Sequence, residues 1–134
     1  MSITIPLKIY NEMIKHALAG KPNEICGILG GKDKTVCEHY VMTNVENSPE
    51  SYLMDPKEQY SVQKDLRSKG LYMLAIYHSH PSSPARPSKK DIDMAFYPDV
   101  AYIIISLENL KPDVKAFIIK NKIVSNIEIK ISVS

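Results

Sequence analysis

Charge of one sign, cysteine and long apolar runs are all scarce in this chain. Seventeen Lys and Arg against fifteen Asp and Glu leave a formal charge of +2. That is far from the one-sided basic balance that tracks a phosphate backbone, so nucleic acid is not expected as a partner. The two cysteines, Cys26 and Cys37, sit in a chain whose N-terminus turns amphipathic rather than continuously apolar, which does not read as a secretory leader. A reducing cytoplasm fits best. No apolar stretch approaches the ~20 residues a membrane-spanning helix requires, so no membrane association is expected either. Repeats and low-complexity tracts are missing. What is present is 134 residues, 44% of them hydrophobic, enough for one packed domain over 1–134.

Apolar residues at Leu7, Tyr10, Met13, Ile14, Ala17 and Leu18 form one stripe on a helix that Gly20 and Pro22 end. The run from Ile25 to Gly31 and the looser run from Val36 to Val45 predict a hairpin turning through Lys32-Asp33-Lys34. Asp55 before Pro56, with Glu58 in the first turn, predicts a helix over 56–68 ahead of Gly70. Leu71 to Tyr77 is almost wholly apolar, as in a central strand buried on both faces. Three prolines between Pro81 and Pro87 impose a loop. Ser88 then opens a helix through Ile92, Ala95 and Phe96 to Pro98, and strands follow over 100–107, 114–120 and 122–132. Strands interleaved with three helices predict an α/β or α+β layered fold built on one sheet.

The chemistry concentrates after the central strand. In extended chain, residues two apart point the same way with Cα atoms about 6.6 Å apart, so His78 and His80 can converge on one ion. Asp91, eleven residues beyond His80, supplies a third ligand if the proline loop folds back. Ser88-x-x-Asp91 is also an ordinary helix cap, and a capped helix start is a rigid mount for a ligand. Two imidazoles and one carboxylate with an open fourth position are the donor set of catalytic Zn2+. The chain lacks the His-Glu-x-x-His of helical zinc proteases. It lacks the His-x-Glu and Pro-Cys-x-x-Cys of nucleobase deaminases as well. A proton acceptor must therefore come from elsewhere, and Glu24, at the entrance of an apolar run, is the best candidate.

Glu24-Ile-Cys-Gly followed by His78-Ser-His80-Pro81, then Ser88 and Asp91, resembles the signature of the JAMM-type zinc metallopeptidases, the catalytically competent Mov34/MPN/PAD-1-like domains. The wording around the prolines is most similar to their short prokaryotic branch, and the order of elements agrees along the whole chain. The resemblance implies a central mixed sheet flanked by helices, in cytidine-deaminase-like layering. It implies zinc on His78, His80 and Asp91, a general base and acid at Glu24, and an oxyanion-stabilising hydroxyl at Ser88. The implied activity is hydrolysis of an amide bond after the C-terminal Gly-Gly tail of a ubiquitin-like or sulfur-carrier protein, for example with release of cysteine. The alternative is a binding module that holds such a tail without cutting it, its zinc purely structural. The insertions that recognise particular ubiquitin linkages in eukaryotic relatives are not expected, and a homodimer is left open.

The remaining polar and thiol residues take ordinary readings: Cys26 and Cys37 as small buried hydrophobes, His16 and His39 as solvated side chains.

Overall fold

The computed structural model describes residues 1–133; the last position of the domain expected over 1–134 lies outside the described residues. The elements run β1 (Ser2–Pro6), α1 (Leu7–Gly20), β2 (Cys26–Lys32), β3 (Thr35–Met42), α2 (Pro56–Ser68), β4 (Tyr72–His80), α3 (Lys89–Asp93), β5 (Ala101–Ser106), β6 (Asp113–Lys120) and β7 (Ile123–Ser132). Three helices accompany a mixed sheet with parallel β4–β5 and antiparallel β2–β4 pairing, so the α+β class and the flanked sheet hold. The sheet also curls until its ends meet, in the order β1-β3-β2-β4-β5-β6-β7 with β1 parallel to β7.

Closure depends on β1, which the sequence reading passes over in favour of the helix from Leu7. Five residues suffice because Ile3 and Ile5 alternate inward while Ser2 to Pro6 register against Glu128 to Ser132. The β2–β3 hairpin turns where expected, with Asp33 and Lys34 both at positive φ, as a two-residue hairpin turn demands. Pro56 opens α2 behind Asp55, whose carboxylate accepts from Lys57 N. The third helix is shorter than predicted, ending at Asp93 rather than near Phe96. Pro98 disfavours helical backbone at Tyr97, whose N–H is taken instead by the Tyr102 hydroxyl.

The sheet separates two apolar clusters. Ile9, Met13 and Ala17 of α1 pack against Leu29, Tyr77 and Ile103 on one face; Val62 and Leu66 of α2 pack against Ile28, Ile76 and Ile104 on the other. Strand β4 is central, between β2 and β5, and runs three residues past the predicted end at Tyr77, to His80. The histidines therefore belong to the paired strand itself, His78 against Ile104 and His80 against Ser106 of β5. Among the described residues no helix is long and apolar enough to cross a membrane.

Candidate active site

Alternation along β4 puts His78 and His80 on the α2 face and Tyr77 on the other. The proline loop returns the chain as anticipated. His80 Nδ1 lies 2.8 Å from Pro84 O; a carbonyl only accepts, so Nδ1 carries the proton and Nε2 is left as a lone pair when the ring is neutral. Ser106 Oγ donates to Ser83 O at 2.6 Å, tying the loop to the end of β5. Ser88 Oγ accepts from Asp91 N at 3.0 Å while Asp91 Oδ2 accepts from Ser88 N at 2.9 Å, a reciprocal helix cap.

The same Oδ2 faces the histidines, 3.2 Å from His78 Nε2 and 3.1 Å from His80 Nε2, which are themselves 3.1 Å apart. His78, His80 and Asp91 thus form a group able to hold a metal ion. Tetrahedral coordination with bonds of ~2.0–2.1 Å spaces its ligand atoms by about 3.3 Å, close to the triangle seen. Burial pushes the Asp91 carboxyl up, but the two imidazoles and the Ser88 N–H outweigh it and hold the group well below the usual carboxylate range. Burial pushes the His78 imidazole down.

Glu24 lies just outside β2. The Cys26–His78 register, continued outward along the antiparallel pair, sets it beside His80, and Ser79 N donates to Ile25 O at 3.1 Å. Glu24 is only 5% exposed, and among the described residues its Oε1 has no hydrogen-bond partner. Burial raises its pKa to about 7, against the lowering effect of His80 and Lys90. An orphaned buried carboxylate oxygen beside three converging ligand atoms is what a site built around a cation and a water leaves when only protein atoms are counted.

Two supports escape the sequence reading. Tyr52 stacks on His78, ring centroids 4.5 Å apart at 26°, and its only sequence signal is a lone aromatic in the connection between β3 and α2. A cavity of about 220 Å³ opens beside Asp91, lined by Tyr52, Met54, Ile76, Phe96 and Tyr97. Elsewhere Cys26 is buried as predicted, but Cys37 is exposed, because Val36 takes the inward position of β3. His16 and His39 are not solvated either. Both hydrogen-bond the buried Tyr77 hydroxyl, His16 Nδ1 at 2.7 Å and His39 Nε2 at 2.6 Å, and His39 Nδ1 meets Glu12 Oε1 at 3.1 Å.

Comparison with known proteins agrees with this architecture. Residues 6–119 match the family described as prokaryotic homologs of the JAB domain. The CysO-cysteine peptidase of Mycobacterium tuberculosis is 35% identical over 106 residues, covering 78% of this chain and 73% of the relative. The desampylase of Pyrococcus furiosus is 35% identical over 117 residues, covering 85% of this chain and 81% of the relative. A protein of Desulfitobacterium hafniense solved in solution superposes with a TM-score of 0.89 at 42% identity, over 100% of this chain and 94% of that one. With its sheet, its histidine strand and the extent of these matches taken together, the chain belongs to the prokaryotic homologs of the JAB domain.

Proposed function

We propose that this chain is a zinc-dependent isopeptidase, acting through residues 1–134 as a single domain in a reducing cytoplasm. It hydrolyses the amide bond that follows the C-terminal Gly-Gly tail of a ubiquitin-like or sulfur-carrier protein. The observation that carries the reading is the convergence of His78 Nε2, His80 Nε2 and Asp91 Oδ2 beside the unpartnered Glu24 carboxylate. Relatives named as a CysO-cysteine peptidase and a desampylase support the substrate class.

His78, His80 and Asp91 hold the ion. Bound there, zinc supplies Lewis acidity to the scissile carbonyl and to a neighbouring water. Glu24, buried beside the three ligands, accepts a proton from that water and returns it to the departing amine. Ser88 Oγ accepts from Asp91 N, which leaves its own O–H free to donate to the carbonyl oxygen as negative charge develops. The apolar cavity beside Asp91 excludes water from an extended tail, and glycine at the cut keeps a side chain out of the approach.

The test is a sulfur-carrier fusion bearing one residue after Gly-Gly, followed by mass spectrometry with and without chelator. Release that stops with chelator and returns with zinc is expected. Tail binding without release would replace the hydrolase with a binding module whose zinc is structural.

A further inference from the structure

The strand ladder does not hold Glu24, since β2 begins at Cys26. Ser79 Oγ of β4 takes the N–H of the Glu24–Ile25 peptide at 2.9 Å, and the groups of Glu24 itself are held by the connection that leaves β3. Glu24 N donates to Ser48 O at 2.8 Å, and Glu24 O accepts from Asn44 Nδ2 at 3.0 Å. Asn44 has three further contacts. Nδ2 also donates to Ser51 O at 3.0 Å, while Oδ1 accepts from Glu46 N and from Leu53 N, each at 3.0 Å. Two carbonyls that only accept and two amides that only donate fix the orientation of the side-chain amide and use all of its capacity. The segment ordered in this way also reaches the metal side of the site, because Glu46 Oε1 takes Lys90 Nζ at 2.9 Å, one residue from Asp91. Asn44 thus joins the backbone under Glu24 to a connection anchored on α3.

We propose that Asn44 is a positioning residue for Glu24: its amide sets the main chain from which the proton-carrying carboxylate projects, and it does so without touching substrate or metal. No other side chain of that length offers two donors and two acceptors. Aspartate keeps the acceptor but loses both donors, and places anionic oxygens against the Glu24 and Ser51 carbonyls. The inference rests on the reading of Glu24 as the proton carrier, so its test includes a measurement that does not.

In the zinc-loaded enzyme, Asn44→Asp is expected to lower kcat at least about tenfold, as small misplacements of catalytic groups do, with KM within about twofold and zinc content unchanged. In a Glu24→Gln background the same substitution adds less than about twofold, because two residues acting through one group are not additive. In the metal-free protein, amide exchange at Glu24 quickens at least about tenfold while Cys26, inside the ladder, keeps its protection. Asn44→Ser, which retains a short polar group, repeats the three readings if the Asp variant does not fold. Wild-type kcat in Asn44→Asp, an undiminished extra loss in the Glu24→Gln background, or unchanged Glu24 exchange would each overturn the proposal. If wild-type protein releases nothing from any fusion, the reading of Glu24 as proton carrier fails, and amide exchange alone decides whether Asn44 holds it.

Discussion

Strand β4 carries a polar cluster on each face, built from nearly the same residue types. On the α1 side, Glu12 meets His39, and His39 and His16 share the Tyr77 hydroxyl. A hydroxyl can donate to one imidazole and accept from the other, so it closes a chain between the two that leaves no fully buried atom without a partner among the described residues. On the other side, His78, His80 and Asp91 bring potential ligand atoms together, while among the described residues His78 Nδ1 and Glu24 Oε1 have no partner. An unpartnered buried polar atom costs about 1–3 kcal/mol, so the second cluster is tolerable where an ion and water complete it. The first is a brace and the second a candidate site, and the difference lies in unmatched valences, not in composition or burial.

The sharpest way to break this contrast is to remove one ligand. Asp91→Ala should take zinc from stoichiometric to undetectable after dialysis, by elemental analysis, with turnover abolished; a metal-replete Asp91→Ala would show that the converging atoms are only another brace. Glu24→Gln keeps the shape and the metal but cannot accept a proton, and should lose at least about 10²-fold in kcat. Near-normal turnover would hand the base role to some other group. On the opposite face, Tyr77→Phe leaves His16 and His39 without their shared partner and should cost about 1–3 kcal/mol in denaturant unfolding. Zinc content should stay at the wild-type level, even though Tyr77 adjoins His78 in sequence.

The two faces also differ in how much of them can be read without a structure. His78-x-His80, Ser88-x-x-Asp91 and Asp55-Pro56 each place their chemistry within a few residues, so strand alternation and helix capping suffice to interpret them. Glu24 stands out as a candidate because an acid stands at the mouth of an apolar run. The brace joins residues 27, 38 and 61 apart, and no local pattern links Glu12, His16 and His39 to a tyrosine that reads as core. Closure of the sheet is hidden for the same reason, since Ser2 pairs with Glu128. Asn44 looks like any turn asparagine until its four partners are assembled. Gly27 shows how such a brace constrains sequence: a Cβ there would collide with the Tyr77 ring.

The smallest expected effect separates the faces by the sign of their pH dependence. Glu24 has its pKa raised by burial from 4.5 to about 7, so between those values the native state keeps a proton that the unfolded chain has released. Its contribution to stability is complete below about 4.5 and fades as pH climbs toward 7. His16 has its pKa lowered from 6.5 to about 4, through burial and then the neighbouring His39. Between those values the unfolded chain holds the extra proton, so its contribution is complete above 6.5 and fades as pH falls toward 4. In chelated protein the two slopes oppose each other across the shared window. Thermal unfolding between pH 4 and 7.5 should show Glu24→Gln losing stability more steeply than wild type on acidification, and His16→Gln losing it more steeply on alkalinisation. Parallel curves for all three proteins would mean that neither carboxylate nor imidazole is held in the protonation state its burial imposes, and the division of β4 into brace and site would then rest on zinc content and turnover alone.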